Sequence, residues 1–463
     1  MVRSKSRNLN NEHLYFMIGN TVAVIVILVI ATVLLPECGS IGRRNMVFLN
    51  MGNGALIMMF MHFMDKYREL DCSLYEKAVI TVLSVLYSFA VLCIINPIFF
   101  RESKKLIADA AVAAADIVSV ISADAVMGYI FDRKPRPSLL VIDIDGKNFY
   151  RTKKIKYGVG RDYDARYENL RLKDTDAFDE FIELSFPVYD AVCVFDSMPE
   201  ELYRAAVNAA NQYNKDLFIV PEIIDVGKLN AKVIHFDDIL TLYIRNKSLN
   251  FFVAFVKRAM DIVIASVGIA AACIPMALIA AAVKLSSPGP VFYKQKRLTG
   301  NKKEFDIYKF RTMVPDAEKL TGPKIAVKDD PRITPVGKIL RSYRLDELPQ
   351  FINVLKGDMS IVGPRPERPF FVERFSKEVE GYDQRFKMKA GITGLSHVYG
   401  KYATHIWDRT YYDLYYITHY SLLLDLKIIL LTTKTVFLKS TAEGEDEYKQ
   451  DTSSHSDTEA NIH

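Results

Sequence analysis

Polar and apolar positions fall into three regimes along the chain. Four apolar runs come first, at residues 15–35, 46–64, 78–100 and 106–131, divided by short polar stretches. Each approaches the roughly 20 residues that a helix needs to cross a bilayer. They predict a membrane bundle of four spanning helices over 12–131, behind a cytoplasmic N-terminus over 1–11. The first run is longer than the apolar segment of a secretory leader, and Pro36-Glu37-Cys38 is no cleavage site, so it reads as a retained anchor. Asp109, Asp116 and Asp124 interrupt the fourth run at spacings that share one helical face. Intramembrane acids turn towards a bundle interior or a cavity. An inward polar face or a partner-helix contact is the simpler reading; ion or proton passage is the functional one.

The second regime runs from 132 to 248. LLVIDID (139–145), YDAVCVFD (189–196) and KDLFIVPE (215–222) read as buried parallel strands, with a helix over 199–214 and Ser197 as its cap. Together they predict a Rossmann-like α/β domain. Its first strand is followed by Asp143-Ile144-Asp145-Gly146-Lys147-Asn148, not GxGxxG, so no dinucleotide site is expected. A regulatory or oligomer-forming role fits better.

The third regime, 249–439, opens on the apolar run 255–285. Its uninterrupted part, 262–283, is long enough to cross a bilayer. Residues 284–311 carry eight basic residues against Glu304 and Asp306, and the upstream flank carries Lys257 and Arg258. Both ends therefore favour the cytoplasmic side. Pro275, near the middle, removes a backbone donor. The run predicts a re-entrant helix that bends at Pro275 and returns, with a fifth span as the alternative. Orientation of the first four runs agrees: Arg3, Lys5, Arg7, Lys66, Arg68, Lys77, Arg133, Lys134 and Arg136 fall on the predicted inner side, against five basic residues outside.

Composition narrows the class. Of 463 residues, 50% are hydrophobic and 25% charged, a mixture expected of membrane segments joined to soluble parts. The five cysteines (Cys38, Cys72, Cys93, Cys193, Cys273) contain no CxxC pair, which argues against a disulfide framework and a structural zinc site. The net charge of +5 offsets a basic centre against an acidic tail, Glu443 to Glu459. Residues 440–463 read as disordered.

The chemistry concentrates in RSYRLDELPQFINVLKGDMSIVGPRPE, residues 341–367. PQFINVLKG reads as a short helix that Gly357 stops. Asp346 and Glu347 then lie at or just before its N-terminus, where backbone N–H groups favour phosphate. Arg341, Arg344, Lys356 and Arg365 surround the acids in sequence, pointing to a highly charged anion held with a divalent metal. A solvated acidic turn is the alternative.

KFRTM (309–313), RSYRLDELPQ (341–350), GDMSIVGPRPE (357–367), KAGITGL (389–395) and LDLKIILLT (424–432) occur in that order. In order and spacing they resemble the bacterial sugar transferase family, the monotopic polyprenyl-phosphate phosphoglycosyl transferases, over roughly 255–438. The leader and the Rossmann-like domain resemble the large members that initiate capsule or O-antigen synthesis. The resemblance implies a small, mainly α catalytic domain with a re-entrant helix, on the cytoplasmic face of the bacterial inner membrane. It implies transfer of a sugar 1-phosphate from a UDP-sugar to undecaprenyl phosphate, releasing UMP, with Mg²⁺ or Mn²⁺. Carried over by position, Asp346 is the nucleophile and Glu347 holds the metal with it or positions phosphate. Lys309, Arg311 and Arg341 are phosphate-side cations, Arg365 binds nucleotide or phosphate, and Asp425 holds one of these basic residues. Membrane lipid and a second copy in a homodimer are the implied partners, with no nucleic acid. One departure stands out: the family breaks its re-entrant helix at Ser-Pro, and this chain has Ile274-Pro275.

The chemistry supports these roles independently. Donor diphosphate and acceptor phosphate repel any nucleophile until cations and a metal neutralise them. A carboxylate nucleophile divides the exchange into two steps, and an aspartate is ionised at neutral pH without tuning. A transferase releasing UDP and a membrane-anchored sensor or scaffold are the rivals; the motifs do not select among glucose, galactose and an N-acetylated sugar. His397 reads as structural or substrate-binding, with general acid the lesser reading. The five tyrosines of YYDLYYITHY (411–420) read as a headgroup-level belt. Residues 421–439 read as an interfacial helix, and the basic run 284–311 as attracting anionic lipid.

Overall fold

The structure is a computed structural model. It describes residues 9–34, 43–66, 73–99, 105–131, 135–146, 148, 151–152, 155, 163–170, 175–222, 232–236, 239–243, 251–314, 330, 332–400 and 405–437. The predicted tail from 440 and the predicted boundary at 248 lie outside them. The chain divides into two compact units, Met1–Glu222 and Ile223–His463.

The first unit opens with α1 (Leu9–Leu34), α2 (Arg43–Phe63), α3 (Leu74–Phe99) and α4 (Lys105–Phe131), one for each apolar run. Each packs on its neighbour in sequence, and α1 also packs on α4, closing a ring. Ile57, Met61, Ile80 and Val120 are buried in it, while Val22, Val29, Ile94 and Val118 stand exposed. Helices apolar on both faces suit a lipid surround. Among the described residues, Leu74–Ile94 and Ala110–Phe131 here, and Phe251–Ser286 in the second unit, are long and apolar enough to cross a bilayer; Leu14–Ile30 and Met51–Phe63 are shorter. Asp116 and Asp124 are buried, as the inward-face reading expects; the side chain of Asp109 lies outside the described residues. Asp124 pairs with Lys66 at 2.7 Å and accepts from Asn20 Nδ2 at 3.0 Å.

The α/β part of this unit comprises β1 (Ser138–Ile144), β2 (Asp164–Leu170), α5 (Thr175–Ser185), β3 (Ala191–Phe195), α6 (Glu200–Gln212) and β4 (Asp216–Val220). The strands form one parallel sheet in the order β2-β1-β3-β4. β1 and β3 are buried along almost their whole length, which explains their continuous apolar runs. β2 went unpredicted because DARYENL is a partly exposed edge strand with no apolar run. Ser197 does not cap α6: Pro199 holds that position, and the Ser197 hydroxyl accepts from Asn148 Nδ2 at 3.0 Å. Asp143, at the end of β1, accepts from Asn148 and from the Tyr167 hydroxyl, so its own turn satisfies the carboxylate.

The second unit begins with a hairpin, β5 (Lys232–Phe236) and β6 (Ile239–Tyr243), and then α7 (Phe251–Ser286). β7 (Phe292–Leu298) and β8 (Glu304–Phe310) form a second hairpin. The rest is mainly helical: α8 (Pro335–Ser342), α9 (Gln350–Lys356), α10 (Pro369–Glu378), α11 (Leu395–Val398), α12 (Ile406–Thr418) and α13 (Leu422–Phe437). Two short strands, β9 (Ser360–Val362) and β10 (Gly391–Thr393), pair in parallel.

α7 is a single helix of 36 residues that continues through Pro275. At about 1.5 Å per residue it is longer than a hydrocarbon core is thick. Its N-terminal half packs through Ala265 into a core with Ile361, Val362, Tyr416 and Ile428. Its C-terminal end packs through Val283 against Phe310 and Leu340. Val267, Ile274 and Leu278, between these anchors, are exposed.

The tyrosine run does not form an exposed belt. Tyr416 is buried, Tyr412 stacks on Tyr399, and Tyr415 lies 4.0 Å from the His419 ring. None of the five is exposed, because α12 runs through the domain core. α13 turns Leu423 and Leu426 outward and buries Asp425, Ile428 and Leu431.

Candidate active site

Local sequence rules build the site in three pieces. β8 delivers Lys309 and then ends at Arg311-Thr312-Met313. Thr334 N donates to the Thr312 carbonyl at 3.0 Å, and Met313 bridges Ile333. Thr334 caps α8, accepting from Gly337 N at 3.0 Å, with Pro335 in the first turn. In the last turn of α8, Arg341 Nε donates to Thr312 Oγ1 at 2.9 Å, tying the two pieces together. A Cβ on Gly337 would stand 2.1 Å from the Thr312 carbonyl oxygen. Gly337→Ala is therefore expected to destabilise this domain by about 3 kcal/mol, the upper end of overpacking costs, measured as a lowered thermal midpoint.

Arg344, with φ of 54°, turns the chain from α8 into a single tight turn, Leu345–Glu347. Pro349 follows in a helical conformation and starts α9, the position in which a proline is tolerated. Gly357, with φ of 88°, ends that helix as predicted. Arg258 donates to the carbonyls of Val354 and Leu355 at 2.6 and 2.9 Å, and Lys389 to that of Gly357 at 2.8 Å. Two cations thus hold the C-terminal end of α9, which leaves its N-terminus beside Asp346 and Glu347.

The acids and several predicted cations meet there. Lys309 Nζ lies 2.6 Å from Glu347 Oε1. Burial raises the Asp346 carboxyl to about 6, an effect that Lys309 and Arg341 counter and Glu347 reinforces. This corrects the expectation of an untuned aspartate. Burial also works against the charge on Glu347, but Lys309, Arg365 and Arg344 outweigh it and hold that carboxyl low. One carboxylate is fixed as an anion, and its neighbour is the more basic of the two.

Arg365 reaches the pair from the loop after β9, and that loop is tied down by residues the sequence did not mark. Buried Arg385 donates to the Arg365 carbonyl at 2.8 Å, to Tyr382 Oη at 2.6 Å and to Asp413 at 2.6 Å. Glu367 lies 3.2 Å from Arg409 and 3.6 Å from Arg297, whose Nη1 donates to the Pro366 carbonyl. Glu367 was visible at the end of GPRPE; its partners lie too far along the chain for spacing to reveal.

Four predicted residues are placed elsewhere. Arg311 is buried, donating to the carbonyls of Ser287 and Pro288 at 2.7 and 2.9 Å and to Ser287 Oγ at 2.9 Å. It fastens the end of α7 rather than facing the acids. Lys356 donates to Tyr308 Oη at 2.7 Å. Asp425 does hold a basic residue, but that residue is Lys257 of α7, at 2.7 Å, and Tyr416 Oη donates to its other oxygen at 2.6 Å. Pro275 lies far along α7, in its exposed stretch.

Among the described residues no three His, Cys, Asp or Glu side chains group as a metal site. Two adjacent carboxylates are hard oxygen donors, and they fit Mg²⁺, which takes its other ligands from water and substrate phosphates.

The family model described as bacterial sugar transferase matches residues 252–439. A Caulobacter vibrioides protein named UDP-glucose:undecaprenyl-phosphate glucose-1-phosphate transferase is 39% identical over 194 residues, 40% of this chain and 71% of that protein. The chain belongs to the bacterial sugar transferase family. An Aeromonas hydrophila relative, named UDP-N-acetylgalactosamine-undecaprenyl-phosphate N-acetylgalactosaminephosphotransferase, is 44% identical over 186 residues, 40% of this chain and 44% of that protein. An Escherichia coli K12 relative, named for UDP-glucose and glucose 1-phosphate, is 37% identical over 232 residues, 49% of this chain and 50% of that protein. The chain thus spans about half the length of these last two relatives. The sugar transferase match falls on the second unit, which carries Lys309, Asp346, Glu347 and Arg365.

Proposed function

We propose that the protein transfers a sugar 1-phosphate from a UDP-sugar to undecaprenyl phosphate, releasing UMP, as the first membrane step of a capsule, exopolysaccharide or O-antigen pathway. The observation that carries this reading is the pair of buried Asp346 and half-buried Glu347 beside Lys309, Arg341 and Arg365, just before α9. The names of the relatives agree with it.

Asp346 attacks the phosphorus that bears the sugar. The bond from that phosphorus to the bridging oxygen breaks, UMP leaves with the oxygen, and an acyl phosphate remains on Asp346. An oxygen of undecaprenyl phosphate then attacks the same phosphorus, the bond from phosphorus to the Asp346 oxygen breaks, and the carboxylate is restored. Lys309 holds Glu347 as an anion, while Arg341 and Arg365 spread positive charge where phosphate arrives. A Mg²⁺ ion held by Asp346 and Glu347 would neutralise diphosphate charge.

The reaction joins a water-soluble donor to a lipid, so the site must sit at a membrane surface. α7 supports a re-entrant placement: both its ends pack on this one charged unit, and its middle exposes apolar side chains. With α1 to α4 as four spans, the second unit lies on the cytoplasmic face, where UDP-sugars are found. The deciding experiment incubates membranes containing the protein with undecaprenyl phosphate and a panel of UDP-sugars. UMP is the expected product for at least one donor. UDP in its place would favour a simple glycosyltransferase, and neither product would favour a scaffold.

A further inference from the structure

In the second unit, four buried side-chain polar atoms have no hydrogen-bond partner among the described residues. Three are the Nε atoms of Arg297, Arg311 and Arg385, whose terminal nitrogens are bonded. The fourth is Nδ1 of His397. His397 stands on α11, directly after Gly394, and its ring packs over that glycine: a Cβ there would stand 3.4 Å from Nδ1 and 2.2 Å from the Gly363 carbonyl oxygen. Gly363 begins the turn that carries Arg365. The histidine is only half-buried, so Nδ1 is its sealed atom and Nε2 lies on the open edge. The charges that act on the ring are Arg365, Arg344, Glu347 and Arg409. These include the arginines already placed around the acid pair.

A sealed lone pair is better tolerated than a sealed N–H, since buried N–H groups without partners are the rarer case. That sets the tautomer, with the lone pair on Nδ1 and the proton on Nε2. Burial, with Arg365 and Arg344 nearby, holds the imidazole well below its usual range, so the ring is neutral. The result is an uncharged N–H donor on the open edge, without a partner among the described residues, near arginines that gather an anion.

We infer that His397 is a substrate-contacting residue whose Nε2–H donates a hydrogen bond to an oxygen of the phosphate held by Arg365 and Arg344. This rests on the reading of the site as a phosphosugar transferase. A neutral donor suits that position: a further cation would hold the phosphate through every stage, whereas one hydrogen bond orients it and lets it leave. The phosphate is that of the donor or that of the lipid acceptor, and the two half-reactions separate them.

The test uses the full-length protein in membranes with the three variants His397→Leu, His397→Asn and His397→Gln. The amide nitrogen of Gln can reach the position of Nε2, whereas that of Asn falls short. The burst of UMP without acceptor reports the first half-reaction; discharge of the phosphosugar to undecaprenyl phosphate reports the second. The Leu and Asn variants are expected to slow one half-reaction about ten- to a hundredfold, the range of one hydrogen bond to a charged group. Gln is expected to restore most of that loss, with thermal midpoints near wild type, because the ring makes no hydrogen bond to the described residues. A slowed burst assigns the contact to the donor phosphate, and slowed discharge assigns it to the acceptor. Unchanged half-reactions in the Leu variant, or equal losses in Gln and Leu, overturn the inference. A wild-type protein that gives no UMP with any donor overturns the transferase reading itself, a result distinct from either.

Discussion

Asp346→Asn is expected to abolish sugar-phosphate transfer, with kcat reduced on the order of 10⁴-fold or more, as for removal of other enzymic nucleophiles. The amide cannot form the acyl phosphate, so neither the UMP burst nor a phosphosugar adduct on the intact protein should be detectable. The fold should survive. Asp346 is a buried carboxyl beside a second one, and an amide relieves both burial of charge and repulsion from Glu347. The thermal midpoint is therefore expected to hold or rise. An adduct in the Asn variant, seen by intact-protein mass, would remove Asp346 from the mechanism. The same carboxyl predicts the acid side of the pH profile. Because burial raises it to about 6, protonation removes the nucleophile as pH falls through that value, well above the ordinary aspartate range. The burst measured across this interval in low metal checks the sign.

The second large effect is structural. Lys257 and Asp425 form a buried ion pair that joins α7 to α13. Lys257 also donates to the Val362 carbonyl at 3.0 Å. Asp261, one turn further along α7, accepts from Ser360 Oγ at 3.0 Å and Ile361 N at 2.9 Å. α7 thus grips β9, the strand that leads into the Arg365 loop. Lys257→Met leaves the Asp425 charge buried without its cation, a loss of about 3–5 kcal/mol. A lowered thermal midpoint and a weakened UMP burst are both expected. The double variant Lys257→Met/Asp425→Leu, which removes both charges, is expected to regain much of the stability. A single variant as stable as wild type would show that the pair does not anchor α7.

How much of this was legible depended on how far apart the interacting residues lie. Apolar runs gave α1 to α4, α7, β1 and β3, because a long apolar helix and a strand buried on both faces leave a continuous local signal. β4 also carries such a run, but it is an edge strand whose residues are half-buried or exposed, not the buried strand expected. The turn that presents Asp346 and Glu347 was readable for the same reason, since Pro349 and Gly357 act within a few residues. β2 was not readable: an edge strand may be polar, and its place comes from pairing with β1. The tyrosine run misled because five aromatic rings suit a headgroup layer and a core equally, and only the packing of α12 chose the core.

The sequence by itself determined the long apolar helices, the strands that need burial, and the acids and cations of the candidate site, since each depends on neighbours within a turn or two. Only the tertiary structure decided which cation each acid meets. It gave Lys309 to Glu347 across 38 positions, Lys257 to Asp425 across 168, and Arg311 to the end of α7 rather than to phosphate. Charges along a chain carry no label for their partners; burial selects the pair, because a charge removed from water must find its opposite nearby.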